Sequence, residues 1–423
     1  MHDLRLLRDQ LDALRDGMRR RGALAALAPA IERAVELDRD RRTLIQAVEE
    51  RKAARNAASQ EVARRKRVKE SADELIAQTR ALGEEIARLE RDLDVTDQQL
   101  QRIVQELPNL TLPDVPQGGE ECNVVVRSWG SPRDEPGLLP HWELGERLGL
   151  LDLARGAKVA GSGFIVFRGA GARLVRSLVS LALDLQSGDH GYEEVWVPFL
   201  VNAASMTGTG QLPKFAEDMY GLDEELFLVP TAEVPVTNLF RDEVLDADRL
   251  PVALTAYSPC FRREAGAHGK DTRGLLRVHQ FDKVELVRFC APEDSGAQLE
   301  LLTRHAEAML ERLGIPYRVK LLAAGDTGFA SAKTYDLEAW APGVRQWLEV
   351  SSCSNFTDFQ ARRANIRYRP ARGEKPRFVH TLNGSTLGFA RTVAALLEHY
   401  QRPGGTVTVP EALRPYLRAD VLA

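Results

Sequence analysis

PCFRREAGAHGKDTRGLLRVHQFDKVELV, residues 259–287, is the stretch on which the fold turns. If its first part is extended, Arg262 and Glu264 share a face, because side chains along a strand alternate with period two. A turn rich in Gly, Asp and Lys follows. In the second extended run Arg277, His279, Phe281, Lys283 and Glu285 fall on one side. Two strands joined by a charged loop would present these groups to one surface. Burying so much charge is costly unless it meets opposite charge on a ligand. Arginine suits phosphate oxygens because its planar fork donates two hydrogen bonds at once. The competing reading is an ion-pair ladder on an exposed sheet face.

Outward from this hairpin, other strand-like runs appear: EEVWVPFLV (193–201), LFLVPTAEV (226–234) and QWLEVSSCS (346–354). Between and around them lie helical stretches such as GARLVRSLVSLALDLQSG (171–188). No glycine-rich phosphate loop sits at a strand-to-helix turn, and helices do not regularly separate the strands. The expected architecture is therefore α+β, an antiparallel sheet flanked by helices.

Three further segments place polar residues on this framework. In VPTAEVPVTN (229–238), Thr231 and Glu233 share a face if the segment is extended; an exposed polar face is the alternative. In QWLEVSSCSNFTDFQARR (346–363), Glu349 and Ser351 alternate, with Ser352 adjacent. A carboxylate and a hydroxyl at a strand end could hold Mg²⁺ on a nucleotide, or simply end an ordinary strand. In TLNGSTLGFARTVAALLEHYQ (381–401), a Gly/Ser turn is expected to run into an amphipathic helix with Arg391 in its early turns.

The N-terminal quarter has a different character. The first of 21 prolines is Pro29 and the second Pro108, with Gly83 the single glycine between them. Such a stretch reads as long helix. Leu75, Thr79, Leu82, Ile86, Leu89, Leu93, Thr96, Leu100, Ile103 and Leu107 recur at alternating steps of four and three, which keeps one seam facing a partner helix. Leu37, Leu44, Val48 and Val62 mark a weaker seam upstream. Ser71 and Glu74 resemble a capping box that starts the second helix. The prediction is an antiparallel helical hairpin, a coiled coil, with its tip near 66–71. Its distal part is basic: Arg51, Lys52, Arg55, Arg64, Arg65, Lys66, Arg67 and Lys69 stand against Glu61 and Glu70. The return, 71–107, carries four Arg against nine Asp and Glu. A basic patch on a long lever suits a polyanion, or is a solvated coiled-coil face.

The formal net charge of -4 argues against a protein that coats nucleic acid everywhere, but not against such a local patch. The four cysteines, Cys122, Cys260, Cys290 and Cys353, have neither CxxC nor zinc spacing, which fits reduced thiols in the cytoplasm. The N-terminus alternates charge with leucine and does not read as a signal peptide. No apolar run approaches the ~20 residues of a membrane span.

Taken together, TAE, FRREAG, DTRG, RVHQFDKVE, EVSSCSN, DFQARR and TLNGS, in this order, closely resemble the seryl-tRNA synthetases, with TGTGQLPKF (207–215) adding to the likeness. With the arm, the likeness covers nearly the whole chain. FRRE resembles the second motif of class II synthetases and GFARTVAALLE the third. The stretch 191–198 resembles the first, a dimer interface. The resemblance implies residues 1–107 as a tRNA-binding arm, 108–122 as a linker and 123–423 as the aminoacylation domain. It implies activation of L-serine with ATP and Mg²⁺, and transfer to tRNA(Ser) and tRNA(Sec), by a homodimer whose arm reaches the tRNA bound across the dimer.

Residue by residue, the resemblance assigns Thr231, Glu233, Arg262, Glu285, Asn383 and Ser385 to serine. It assigns Arg262, Glu264, Arg277, Val278, Phe281, Glu349, Val350, Ser351, Ser352 and Arg391 to ATP, with Glu349 and Ser352 as the metal pair. Arg262, Glu285 and Arg391 would be catalytic, and the eight basic arm residues would bind tRNA. His268 and His279 would be structural. The chain departs from the family pattern at Phe356 and Thr357, and at Thr386 and Phe389, which bears on pocket shape. Two other readings stay open: a paralogue that loads a carrier protein, and a non-catalytic coiled-coil paralogue. The basic arm argues against the first, and intact Arg262, Glu285, Glu349 and Arg391 against the second.

Overall fold

The computed structural model describes residues 1–223, 225–264 and 273–423. His268 and most of the charged turn that follows FRRE lie outside the described residues. The chain divides into two compact units: residues 2–19 with 23–107, and residues 1, 20–22 and 108–423.

The smaller unit is built on helices α1 (Leu24–Arg67) and α2 (Asp73–Glu106). They pack against one another along their length, and every residue of the 75–107 stripe is buried or half-buried. In α1, Leu37 and Val48 are buried while Leu44 and Val62 are half-buried, so the weaker seam packs less completely. The turn falls at 68–72. Two details differ from the reading above. Helix α1 begins five residues before Pro29, so the proline falls in its second turn and leaves the Ala25 carbonyl without its usual intrahelical N–H partner, yet the helix continues through it. The capping box does not form. Helix α2 starts at Asp73, and the Ser71 hydroxyl bonds the Asp73 carboxylate instead, at 3.1 Å. Asp73 and Glu74 therefore both sit in the first turn, near the positive end of the helix dipole.

In the larger unit, eight strands form one sheet. They are β1 (Val124–Trp129), β2 (Glu193–Glu194), β3 (Val252–Phe261), β4 (Gln280–Cys290), β5 (Tyr317–Leu321), β6 (Lys333–Ala341), β7 (Gln346–Asn355) and β8 (His380–Gly388). Their order across the sheet is β1-β5-β6-β7-β8-β4-β3-β2. All neighbours are antiparallel except the short pair β2–β3. The expected α+β architecture is thus present. Two of the strand-like runs shrink: 193–201 holds only β2 and a short strand Leu200–Asn202, and 226–234 only Leu226–Leu228.

Among the helices of this unit are α3 (His141–Arg147), α4 (Ala170–Asp184), α5 (Glu233–Asn238), α6 (Ser295–Leu313), α7 (Phe359–Ala364) and α8 (Phe389–Tyr400). Leucines of α4, α6 and α8 pack with Val284, Leu286 and Cys290 of β4 to make the main core. Val287 and Phe289, on the other face of β4, belong to a second core with Ala361 and Ala364 of α7. Strand β4 is therefore covered on both sides. The face that carries Val287 and Phe289 carries Phe281, Lys283 and Glu285 at its other end. One end of that face builds core and the other builds the site.

The stretch 381–388 is strand β8, not a turn. Gly384 serves close packing: a β-carbon there would lie 2.3 Å from Leu302 of α6 and 2.9 Å from the Cys353 sulfur. The expected linker is tied to the sheet unit. The Asn109 amide donates to the carbonyls of Ala330 and Phe356, at 2.9 and 2.8 Å. No helix among the described residues is long and apolar enough to cross a membrane.

Candidate active site

A cavity of about 770 Å³ opens over the ends of β4, β7 and β8. Its wall holds Thr231, Glu233, Arg262, Glu264, Arg277, Val278, Phe281, Glu349, Val350, Ser351, Ser352, Asn383, Ser385 and Arg391. Fourteen of the fifteen residues singled out for substrate thus converge on one concave surface, although they span 160 positions of the chain. The fifteenth, Glu285, lies just behind the wall with no exposed surface.

The local reason differs for each segment. Thr231 and Glu233 are not on a strand. The Thr231 hydroxyl accepts the Glu233 N–H at 3.2 Å, and the chain turns straight into α5. Pro235 sits in the first turn of that helix, where its lack of an N–H is harmless. Arg262 and Glu264 lie past the end of β3, and Glu264 has a left-handed φ of 51°. Arg277 and His279 precede β4 rather than belong to it. His279 holds the backbone together here: its N–H donates to Gly163 and its Nδ1 meets the Arg262 carbonyl at 3.0 Å.

Glu349 and Ser352 are three apart, so strict alternation would separate them. A bulge prevents this. Asp336 faces Ser352 and Leu337 faces Ser351 across the β6–β7 ladder, but the next residue of β6, Glu338, faces Glu349. Val350 is the extra residue, and bulges of this kind re-aim side chains beside functional sites.

At the deep end, two carboxylates and a lysine form a buried network. Glu285 faces Ser385 across the β4–β8 ladder. One of its oxygens accepts from the Asn383 amide at 2.9 Å, and the other from the Ser385 hydroxyl at 3.3 Å and Lys283 Nζ at 2.6 Å. Lys283 also donates to the Thr231 hydroxyl at 2.8 Å and is only 6% exposed. Glu233 accepts from Gln360 Nε2 at 2.6 Å, and the Gln360 oxygen accepts from Thr381 at 2.8 Å. Burial, then the nearby Glu285 charge, pushes the Glu233 carboxyl up to about 7, while Gln360, Lys283 and Arg262 act against that rise. The resemblance did not assign Lys283 or Gln360. Lys283 was visible in the alternation of HQFDKVE, on the same face as Phe281 and Glu285. Gln360 gave no local signal beyond lying within DFQARR.

Towards the mouth, the Arg262 guanidinium lies 5.1 Å from the centre of the Phe281 ring, in cation–π range. Arg277 forms an ion pair with Glu264. Arg391 donates from Nε to the Leu276 carbonyl at 2.9 Å and from NH1 to the Glu349 carbonyl at 3.0 Å. The buried Asp336 hydrogen-bonds Ser352 and has one oxygen with no partner among the described residues; burial, then the Glu349 charge, raises its carboxyl well above the usual range. Of the four departures from the family pattern, only Phe356 reaches the cavity wall. Phe389 belongs to the main core, and Thr386 is fully buried.

On the helical unit the eight basic residues are not equivalent. Arg51 and Lys52 pair with Glu85 and Glu90 of the return helix, at 2.9 and 2.7 Å. Arg64 and Arg65 share Glu61. Among the described residues, Arg55, Lys66, Arg67 and Lys69 have no ion-pair partner.

Comparison with known proteins agrees with this geometry. Residues 216–400 match the family described as tRNA synthetase class II core domain (G, H, P, S and T), and the fold and site define the chain as a class II aminoacyl-tRNA synthetase. Residues 1–111 match the seryl-tRNA synthetase N-terminal domain. The chain is 64% identical over 425 residues to a serine–tRNA ligase of Gemmatimonas aurantiaca, with 100% of both chains covered. It is 56% identical to that of Geobacillus kaustophilus, over 99% of this chain and 98% of the relative. A crystal structure of seryl-tRNA synthetase from Pyrococcus horikoshii complexed with ATP superposes with a TM-score of 0.93 at 36% identity, covering 100% of this chain and 99% of that one. The chain belongs to the seryl-tRNA synthetase family, the serine–tRNA ligases.

Proposed function

We propose that this cavity activates L-serine with ATP and passes the seryl group to tRNA(Ser), and to tRNA(Sec) where it is present. The observation that carries the reading is the convergence of Thr231, Glu233, Arg262, Asn383, Ser385 and Arg391 on one cavity, with Glu285 directly behind it. The deep end offers two carboxylates for the serine ammonium. Glu285, with Asn383 and Ser385, offers polar partners for the hydroxyl. A site built to hydrogen-bond a hydroxyl rejects a substrate that lacks it, because its own buried groups are then left unpaired.

Arg262 lies between this end and the mouth, where it can bridge the serine carboxylate and the ATP α-phosphate. Phe281 and Val278 would hold adenine, Glu264 the nucleotide and its loop, and Arg277 and Arg391 the outer phosphates. The serine carboxylate attacks the α-phosphorus and pyrophosphate leaves, giving seryl-adenylate. The terminal ribose hydroxyl of tRNA then attacks the seryl carbonyl and AMP leaves. No protein nucleophile is needed; positioning and charge stabilisation supply the catalysis.

Glu349 and Ser352 fit Mg²⁺ as a hard-oxygen pair on one face, backed by the unpartnered Asp336 oxygen. Bound there, the ion would neutralise developing phosphate charge, with phosphates and water completing its shell.

Arg55, Lys66, Arg67 and Lys69 are the arm residues best placed to meet tRNA phosphates, since no carboxylate among the described residues pairs with them. The stretch 191–198, where Trp196 is 76% exposed, supports a homodimer. Solution mass measurement tests that assembly.

The decisive experiment is charging of total tRNA with each of Ser, Thr, Ala and Gly, alongside serine-dependent ATP–pyrophosphate exchange. Serine-specific charging is expected. Exchange without tRNA charging would favour a carrier-protein ligase, and neither activity a non-catalytic paralogue.

A further inference from the structure

Helix α8 grips the nucleotide wall twice. At its N-terminal end Arg391 donates to the Leu276 carbonyl at 2.9 Å. At its C-terminal end lies Glu398, fully buried and not part of the cavity wall. One Glu398 oxygen accepts from the backbone N–H groups of Gly343 and Val344, at 2.8 and 3.0 Å. The other accepts from the backbone N–H of His141, at 2.9 Å, and lies 2.7 Å from His141 Nδ1. His141, also fully buried, turns its Nε2 towards the Leu275 N–H, which donates to it at 3.0 Å. Because Nε2 accepts, the ring proton sits on Nδ1 and is donated to Glu398.

This contact meets the segment where it returns from the charged turn. Gly274 has a φ of +68°, and a β-carbon there would lie 2.4 Å from His141 Nε2 and 2.9 Å from Trp142. Arg273 lies over the Trp142 ring at 4.8 Å. The next four residues, Leu275, Leu276, Arg277 and Val278, all line the cavity.

We infer that His141 and Glu398 are positioning residues for the ATP side of the reaction. Together they fix the height and direction of residues 274–278, and so the aim of Arg277 and Val278, without touching substrate. The inference rests on the reading of Arg277 and Val278 as nucleotide contacts. A wall shifted by a fraction of an ångström loses aim at the phosphates while the deep serine end, built on β4, β8 and α5, is untouched.

The test is serine-dependent pyrophosphate exchange by the full-length chain carrying His141→Gln or Gly274→Ala, with Arg277→Ala in parallel. Folding is monitored by circular dichroism. Each of the first two variants is expected to raise the KM for ATP about tenfold and leave that for serine within about twofold. Gly274→Ala presses on the histidine from the loop side without removing a buried polar group, so it carries the test if His141→Gln does not fold. An unchanged KM for ATP in folded variants, or equal rises for ATP and serine, overturns the inference. If Arg277→Ala raises the KM for ATP and the other two do not, this proposal alone fails. If Arg277→Ala leaves it unchanged, the reading of the nucleotide wall fails as well.

Discussion

The helical unit and the catalytic cavity are made from the same charged residue types, used under opposite physical conditions. On the arm, Arg51–Glu85 and Lys52–Glu90 sit in water, where an exposed pair adds little to stability and can exchange partners freely. In the cavity, Lys283 and Glu285 are almost wholly buried, and each depends on the other. Leaving one charge of such a pair alone costs about 3–5 kcal/mol. Charge on the arm can thus change partners, whereas charge at the deep end of the cavity is held in a fixed arrangement by its neighbours.

The sharpest way to break this contrast is at the junction of the two substrates. Arg262→Ala is expected to lower serine-dependent exchange by about 10³-fold or more, since it removes charge stabilisation at the reacting phosphorus. Near-normal exchange in that variant would refute the assignment. Lys283→Met leaves Glu285 buried without its cation. Unfolding by denaturant should show a loss of about 3 kcal/mol, and the KM for serine should rise more than that for ATP. An unchanged midpoint would mean that the network is not charged as drawn.

Glu233 gives a subtler test, through pH. Its folded-state value of about 7 lies above its ordinary 4.5. The folded protein therefore holds a proton that the unfolded chain has lost, and the stability this contributes is complete below pH 4.5 and disappears as pH rises towards 7. Melting temperature should fall across that window, and Glu233→Gln should flatten the fall; parallel curves for the two proteins would exclude Glu233 as its source. The smallest effect on folding belongs to the arm. Replacing Arg64, Arg65, Lys66 and Arg67 by alanine should shift the melting temperature by less than about 2 °C and leave exchange intact, yet raise the KM for tRNA and flatten its salt dependence. Equal losses of exchange and charging would count against an RNA-binding role.

How much of this was legible depended on whether the signal was local. The hairpin was readable because its seam repeats every few residues and no proline falls between Pro29 and Pro108. The alternation of Phe281, Lys283 and Glu285 was readable because β4 is a regular strand. Thr231 and Glu233 were misplaced on a strand because a hydroxyl-capped turn and a short Pro-containing helix leave little periodic trace in six residues. The Gly-Ser step at 384–385 looked like a turn because the demand for glycine comes from Leu302, some eighty positions away. His141 and Glu398 carried no signal, since what joins them is the packing of α3 against α8.

The extra residue in β7 has a consequence for how this strand can change. With it, Glu349 and Ser352 share a side although they are three residues apart; without it they would be two apart and would still share that side. Losing Val350 would therefore leave the phase of the strand intact and remove only a buried apolar side chain and the local bend of the bulge. A second inserted residue, by contrast, would need a further bulge or would turn the strand beyond it inside out.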